Sequence, residues 1–277
     1  MQTIPINVDV NAQLKSFQDS DVLYVTSIFY TIQGEGPYAG CPCIFIRLAG
    51  CNYGSKTNVC TQCDTAFQLK NAKKYSVAEL IREVEAIAKA NQCHSLVITG
   101  GEPTLQPLIK SFLKSWINAF LRTPLPGKFI QIETNGSVPS FYEDDAWEVL
   151  QGRVTIVCSP KVNEVSGKYL RIAQSIVKRV HAFKFLISAD PDSAYHNVPT
   201  LSDLINTYGA ANSIKDYYLS PISVYKKAPD GEVACVFDTD IIDQEATRKN
   251  YAYAAQYVLQ HPFYKLSLQT HLFTAVP

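Results

Sequence analysis

The sequence predicts an α/β fold in which a mostly parallel sheet forms an open, partial (β/α)6-type barrel with an extra C-terminal strand. Six short apolar runs, rich in β-branched and aromatic residues, each end in Gly, Ser, Thr, Asn or Pro. A helical pattern follows each run, which indicates repeated right-handed βαβ units. A closed (β/α)8 barrel would need eight such units, so the count of six favours an open barrel.

Residues 1–20 are polar and weakly patterned, so we expect an N-terminal extension before the run "VLYVTSIFYTIQGEGPYAG". The six strand-like runs are "CIFIRLA", "SLVITGG", "KFIQIETNGS", "RVTIVCSPK", "HAFKFLIS" and "YYLSPIS". Helices are predicted near residues 77–88, 107–121, 141–150, 169–176, 201–208 and 243–259, and "KLSLQTHLFTAVP" is the extra strand. Because no repeat or linker is visible, residues 1–277 are expected to form a single domain.

Two local patterns carry particular weight. Ser76 and Glu79 form a capping box at the start of a segment with a continuous apolar helical face, which predicts a helix there. In "CIFIRLA", strand alternation places Cys43, Phe45 and Arg47 on one face. A guanidinium on an inward face predicts that this face lines a cavity.

Composition excludes several classes of function. The chain carries 25 basic and 25 acidic residues and no long charge run, so we expect no direct binding of nucleic acid. Neither a secretory signal nor an apolar run long enough to span a membrane is visible, which predicts a cytoplasmic protein without a membrane partner. In that reducing compartment the eight cysteines should be free thiols, so a cysteine cluster indicates metal binding or catalysis.

Such a cluster lies in the loop 51–65, where Cys51 precedes the C-x-x-C pair Cys60 and Cys63. Sites that hold a metal through sulfur usually take four ligands. One alternative is a zinc-stabilised interaction domain with Cys41 or Cys43 as the fourth ligand. The other is an iron–sulfur cluster with three cysteine ligands, which leaves one iron open to another molecule and therefore suits an enzyme.

The motif order resembles a known family. Three cysteines after the first strand and "GGEP" after the second resemble the radical S-adenosylmethionine (SAM) superfamily. The segments "TIQGEGPYAG", "FIRLAGCN", "CDTAF", "VITGGEPTLQ", "IETNGS", "SPK" and "LQTHLFTAVP" resemble, in the same order, its 7-carboxy-7-deazaguanine synthase branch. The usual superfamily spacing is C-x3-C-x2-C, whereas this chain has C-x8-C-x2-C, and the first gap varies within this branch.

The resemblance implies an open barrel of the radical SAM kind and assigns roles to individual residues. A [4Fe-4S] cluster would be held by Cys51, Cys60 and Cys63, with SAM on its fourth iron, and Mg²⁺ by Thr65. SAM would contact Gly100, Gly101, Glu102, Thr134, Asn135, Ser159, Lys161 and Ser220. Several of these could equally be turn or cap residues, and only their shared place at strand ends favours binding. The substrate would contact Ile32, Gln33, Gly34, Glu35, Arg47, Thr99, Gln269, His271 and the terminal carboxylate of Pro277. Gln269 and His271 are expected two apart on one strand, facing the same side.

The reaction that the resemblance implies is a radical ring contraction. 6-Carboxy-5,6,7,8-tetrahydropterin would become 7-carboxy-7-deazaguanine with loss of ammonia, a step in queuosine biosynthesis for tRNA modification. No acid–base dyad is required, so no catalytic side chain is assigned. An electron donor such as a flavodoxin and a homodimer are expected. The alternative within the superfamily is an activase that removes hydrogen from a glycine of a partner protein, but "QGEG", Arg47 and "QTH" favour a small anionic heterocycle.

Overall fold

The computed structural model describes residues 15, 17, 19–54, 57–60, 63, 67–121, 127–209, 215–225 and 242–274. The strands are β1 (Leu23–Ile32), β2 (Pro42–Leu48), β3 (Lys73–Tyr75), β4 (Leu96–Gly100), β5 (Ile130–Thr134), β6 (Thr155–Cys158), β7 (Val162–Asn163), β8 (Lys168–Tyr169), β9 (Ala182–Ile187), β10 (Asp216–Pro221) and β11 (Lys265–Leu266). The helices are α1 (Val77–Asn91), α2 (Ile109–Phe120), α3 (Asp145–Glu148), α4 (Gln174–Val177), α5 (Leu201–Asp203), α6 (Gln244–Gln260) and α7 (His271–Thr274).

Within this part of the chain, nine strands form one sheet in the order β11-β10-β9-β6-β5-β4-β2-β1-β3. From β2 to β11 every neighbouring pair is parallel, whereas β1 pairs antiparallel with β2 and β3 antiparallel with β1. The six predicted parallel strands and the added strand β11 are therefore confirmed. Since β3 and β11 are separate edges, the described sheet is open, as the count of βα units predicted.

The sheet divides the interior into a packed side and a cavity side. On β2, Ile44, Ile46 and Leu48 are fully buried and belong to the same core as Leu80 of α1 and Phe112 of α2. The alternate residues Phe45 and Arg47 are only half-buried and line a cavity. The predicted inward-facing arginine thus lies on a cavity wall.

Helix α1 begins as its capping box predicts. Ser76 Oγ accepts from the Glu79 backbone N–H at 3.3 Å, and the Ser76 N–H donates to Glu79 Oε2 at 2.8 Å. The two bonds satisfy donors that a helix N-terminus otherwise leaves open. Among the helices in the described residues, none combines the length and the apolar composition that a membrane span requires.

Two predicted elements differ in the structure. The segment predicted as a helix over 169–176 begins in a two-stranded hairpin, β7–β8, and α4 covers only its end. Asn163 and Gly167 explain this, because Gly167 has φ +64° and its N–H donates to Asn163 O at 2.8 Å, which makes a tight turn. The helix predicted over 141–150 is reduced to α3 preceded by one 3₁₀ turn, Pro139–Tyr142.

The C-terminal strand is shorter than predicted. Only Lys265 and Leu266 pair with β10, and the Leu272 N–H then donates to Gln269 O at 3.1 Å to begin a helical turn. The prediction that Gln269 and His271 lie two apart on one strand is therefore wrong, since His271 opens α7. Of the predicted N-terminal extension, Phe17 is buried and its ring lies 5.5 Å from that of Tyr24, while residues 1–14 lie outside the described part.

A pair of matched leucine substitutions tests this core. Leu80 is 0% exposed on α1 and Leu259 is 84% exposed on α6. We expect Leu80→Ala to lower the free energy of unfolding by about 2–5 kcal/mol, because it removes buried methyl groups and leaves a cavity. Leu259→Ala should change it by less than about 0.5 kcal/mol. Urea unfolding followed by far-UV circular dichroism measures both, and equal losses would contradict the burial described here.

Candidate active site

One cavity of about 870 Å³ opens where the C-terminal ends of the parallel strands meet. It gathers predicted site residues from the whole length of the chain. Those that line it are Ile32, Gln33, Gly34, Glu35, Arg47, Cys51, Cys60, Cys63, Thr99, Gly100, Gly101, Thr134, Asn135, Ser159, Lys161, Ser220 and Gln269. Glu102 lies just behind the cavity wall. Thr65, Pro277 and the side chain of His271 fall outside the described part of the chain.

The loop between Cys51 and Cys60 folds back on itself. The Gly54 N–H donates to Val59 O at 2.9 Å, and these two residues form an isolated antiparallel bridge. Inside the turn, Thr57 Oγ1 donates to Gly54 O at 2.8 Å. Val59 is 1% exposed, so the returning arm packs into the protein. The eight intervening residues therefore return Cys60 to the cavity that Cys51 lines.

The three thiols have the donor chemistry of an iron–sulfur site. Burial, with smaller contributions from Glu102, Cys63 and Cys60, raises the pKa of the Cys51 thiol to about 12, although a backbone hydrogen bond from Tyr53 opposes the shift. A thiolate here therefore needs a nearby cation, which iron supplies. Within the described residues no three His, Cys, Asp or Glu side chains are already gathered closely enough to hold a metal ion. Cluster binding thus has to draw the three sulfurs together.

The cysteines considered as a fourth zinc ligand lie elsewhere. Cys43 is fully buried against Val97 and Phe129, with Cys41 packed alongside, and neither lines the cavity. Cys43 is the second residue of β2 and Cys51 follows the other end of this strand, which separates them by roughly 20 Å at the rise of an extended strand. Neither Cys41 nor Cys43 can complete a metal site with Cys51, so that alternative is wrong.

The glycine pair at the end of β4 is required by backbone packing. A Cβ on Gly100 would lie 2.1 Å from Leu48 O, and one on Gly101 would lie 2.0 Å from Gly50 O. The Gly101 N–H donates to Leu48 O at 3.0 Å and the Glu102 N–H to Gly50 O at 2.8 Å. The glycines thus join the end of β4 directly to the backbone before Cys51.

The buried carboxylate of Glu102 accepts hydrogen bonds from neighbouring residues. Its carboxylate is 0% exposed and accepts from the Thr104 N–H at 3.0 Å, Thr134 Oγ1 at 2.8 Å and the Asn135 N–H at 2.6 Å. Burial raises the pKa of this carboxyl, and the hydrogen bonds oppose that shift. The Glu102 side chain is therefore held inside the wall, where it fixes two of the predicted SAM residues at the rim.

Further hydrogen bonds connect the other residues of that rim. Asn135 Nδ2 donates to Asn52 Oδ1 at 3.1 Å, which connects the end of β5 to the cysteine loop. Lys161 Nζ donates to Ser159 Oγ at 2.9 Å, and the Ser159 N–H donates to Thr134 O at 2.8 Å. These bonds place the polar groups of three strand ends in one continuous wall.

Glu133 is a cavity residue that the sequence reasoning missed. Gln33 Nε2 donates to its Oε1 at 3.0 Å, Gln131 Nε2 to the same oxygen at 2.9 Å, and Thr99 Oγ1 to its Oε2 at 3.4 Å. The signal was present in "IQIET", where an acid alternates with buried isoleucines just as Arg47 does in β2. Glu133 therefore connects the predicted substrate residues Gln33 and Thr99.

Glu35 is held by a second missed residue. Lys184 of β9 forms an ion pair with Glu35 Oε2 at 2.7 Å, and Ser220 Oγ donates to Glu35 Oε1 at 2.6 Å. Ser220, predicted beside SAM, thus contacts a predicted substrate residue. Gln269 lines the same cavity, and its Oε1 accepts from Ser223 Oγ at 2.5 Å.

Arg47 presents its guanidinium beside an aromatic wall. Its Cζ lies 5.0 Å from the centroid of the Phe29 ring, and Phe29 stacks on Phe45 at 5.4 Å. A guanidinium against an aromatic face keeps its charge and its planar orientation. The cavity therefore offers an oriented guanidinium and three thiols, together with the hydrogen-bonded carboxylates of Glu35 and Glu133.

Comparison with known proteins agrees with this arrangement. Residues 45–176 match the Radical SAM superfamily. The chain is 32% identical over 263 residues to the 7-carboxy-7-deazaguanine synthase of Rickettsia prowazekii, which covers 93% of this chain and 90% of the relative. It belongs to the 7-carboxy-7-deazaguanine synthase family. Membership of the radical SAM superfamily implies a [4Fe-4S] cluster and SAM as cofactors.

A second relative agrees with this membership, and a solved structure shares the fold. The synthase of Rhodospirillum rubrum is 33% identical over 189 residues, or 66% of each chain. The crystal structure of QueE from Escherichia coli superposes with a TM-score of 0.56 at 22% identity, covering 93% of this chain and 98% of that one. The predicted open radical SAM fold is confirmed by this likeness.

A glycine substitution tests how the cluster loop is positioned. Gly101→Ala places a methyl group against Gly50 O, so we expect β4 to separate from the end of β2 and iron uptake to fall. In the matched variant Gly152→Ala the methyl group meets nothing within 4 Å, and φ +77° adds only about 1 kcal/mol of strain. Iron per chain after anaerobic reconstitution measures both. Full iron content in Gly101→Ala would contradict the tight contact.

Proposed function

We propose that this protein is a 7-carboxy-7-deazaguanine synthase, which contracts the ring of 6-carboxy-5,6,7,8-tetrahydropterin with loss of ammonia in queuosine biosynthesis. The observation that carries the proposal is the composition of the cavity at the strand ends. Three thiols, an oriented guanidinium and hydrogen-bonded carboxylates line the same space. That set suits a small anionic heterocycle beside a cluster better than it suits a glycine of a partner protein.

The cofactors would be held by residues of the strand ends. Cys51, Cys60 and Cys63 would ligate the cluster, and SAM would lie against Gly100, Gly101, Thr134, Asn135, Ser159 and Lys161, with Glu102 fixing the rim from behind. When bound, the cluster and SAM supply the radical chemistry that removes a hydrogen atom from the substrate. The chain's own residues bind and orient the substrate and keep water from it. No side chain is assigned as a catalytic acid or base.

The substrate carboxylate would pair with Arg47, whose planar fork matches two carboxylate oxygens. The N–H donors of the pterin would meet the acceptors Glu35 and Glu133, with Gln33 and Thr99 alongside. Ile32 and Gly34 would contact it through their backbone. We further propose that Gln269, His271 and the terminal carboxylate of Pro277 cover the bound substrate.

The electron donor, the oligomeric state and the cellular compartment are also part of the proposal. An electron donor such as a flavodoxin would reduce the cluster, and the chain would act as a homodimer of single radical SAM domains. The balanced charge supports a small-molecule substrate rather than tRNA itself. The eight cysteines and an oxygen-sensitive cluster suit the reducing cytoplasm.

Anaerobic turnover tests the activity. The reconstituted protein should hold about four irons per chain and, with a reductant, SAM and the carboxytetrahydropterin, should form the carboxydeazaguanine. Cys51→Ala should lose SAM cleavage, because it removes a cluster ligand, whereas Cys43→Ala should retain it, because Cys43 lies outside the cavity. SAM cleavage without the deazapurine would refute the substrate, and a colourless zinc protein would refute the chemistry.

The magnesium proposal has its own test. Mg²⁺ keeps most of its waters and takes few protein ligands, so Thr65 and the substrate oxygens would suffice. We expect turnover to fall in magnesium-free buffer and to recover on addition of Mg²⁺. Thr65→Val should raise the Mg²⁺ concentration for half-maximal rate by about tenfold, the loss of one good ligand bond. The exposed Thr207→Val is the control, and an unchanged Mg²⁺ dependence in Thr65→Val would exclude this residue.

A further inference from the structure

The loop 33–41, between β1 and β2, crosses the interior of the open sheet. β1 lies beside the β3 edge, yet the loop's partners lie on β5, β9, β10 and just after β11. These contacts are Gln33 Nε2 to Glu133 Oε1 at 3.0 Å, Lys184 Nζ to Glu35 Oε2 at 2.7 Å, Ser220 Oγ to Glu35 Oε1 at 2.6 Å and the Gly36 N–H to Ser267 Oγ at 3.1 Å. The loop therefore connects strands from both sides of the sheet.

The Glu35 carboxylate is oriented from two neighbouring strands. Lys184 lies on β9 and Ser220 on β10, and each supplies a donor to a different oxygen of Glu35. The side chains of Lys184 and Glu35 are only 10% and 16% exposed. A largely desolvated ion pair holds its geometry more firmly than a surface pair, since water competes less for either partner. All three residues line the cavity.

An ionised carboxylate held in this way is an acceptor with a fixed direction. A tetrahydropterin presents ring N–H and amino groups, and a carboxylate accepts two such parallel donors well. The Lys184 ammonium donates to one oxygen of the carboxylate and the Ser220 hydroxyl to the other, which fixes the rotation of the group. The pair thus provides a preorganised acceptor that does not have to be reoriented when the substrate enters.

We propose that Lys184 is a positioning residue for substrate recognition, acting through Glu35 on the N–H donors of the heterocycle. This inference rests on the proposed function for the identity of that heterocycle. It assigns to Lys184 a role separate from that of Arg47, which would bind the substrate carboxylate. A purely architectural role, in which the pair only joins the loop 33–41 to β9, is the competing explanation.

A double substitution separates the two roles. Lys184→Met leaves the Glu35 carboxylate without its ammonium partner in a mostly buried place, which should lower the thermal midpoint and also weaken pterin binding. Glu35→Gln in the same chain removes the uncompensated charge. If Lys184 positions Glu35 for the substrate, the double variant regains thermal stability but not pterin affinity.

The measurements are the dissociation constant of 6-carboxy-5,6,7,8-tetrahydropterin by anaerobic equilibrium dialysis and the KM values for pterin and SAM. We expect Lys184→Met to raise the pterin constants by about ten- to a hundredfold, the range for a charged hydrogen bond, with the SAM KM unchanged. Lys184→Arg should recover part of the loss. Lys265→Met, which breaks the more exposed ion pair with Asp216 on the same sheet, should leave the pterin constants unchanged.

Three outcomes would overturn the inference. The first is an unchanged pterin dissociation constant in Lys184→Met, and the second is a double variant that regains affinity together with stability. The third is a wild-type protein that does not bind the pterin, which would refute the substrate as well. If the wild-type protein binds the pterin but forms no deazapurine, only the proposed reaction is refuted. The role of Lys184 in pterin binding is still decided by the dissociation constants.

Discussion

The close contact between the ends of β2 and β4 is the constraint on which the site depends. Gly100 and Gly101 lie so near Leu48 and Gly50 that no larger residue fits, and two backbone hydrogen bonds hold the contact. The backbone that leads into Cys51 is thereby fixed against the strand end that precedes Glu102. Glu102 extends the same constraint to β5, because its buried carboxylate holds Thr134 and Asn135. A change at the glycine pair therefore reaches both the cluster loop and the rim.

A second constraint shapes the rest of the cavity. An open sheet has no hydrogen bonds between its edges, so something else has to set how far the two sides stand apart. The loop 33–41 does this, since it leaves β1 and reaches β9 and β10 through Glu35. The same contacts that hold the sheet also present acceptors to the cavity. Under the proposed function, architecture and substrate recognition would be carried by the same bonds, which is why a double variant is needed to separate them.

The sequence predicts local structure and strand ends well, because both depend on near neighbours. The parallel strands follow from the alternation of strand and helix patterns, the capping box of α1 from the spacing of Ser76 and Glu79, and the inward Arg47 from strand periodicity. Lys184 and Glu133 were missed because their partners lie 149 and 100 residues away, in Glu35 and Gln33, where no spacing rule applies. The overlong C-terminal strand is a related failure. Its pattern alternates beyond Leu266, but only two residues find a partner on β10.

The long first gap of the cysteine motif has a physical account that leaves the chemistry unchanged. Lengthening a flexible loop from three to eight residues costs about 1 kcal/mol of closure entropy. The loop's own bonds, from the Gly54 N–H to Val59 O and from Thr57 Oγ1 to Gly54 O, contribute about 1 kcal/mol each and offset it. The Glu164 N–H of the β7–β8 hairpin adds an external anchor at Asn58 O, 2.8 Å away. The longer gap is therefore compensated by bonds within the loop and by its anchor on the hairpin, and Cys60 still lines the same cavity as Cys51.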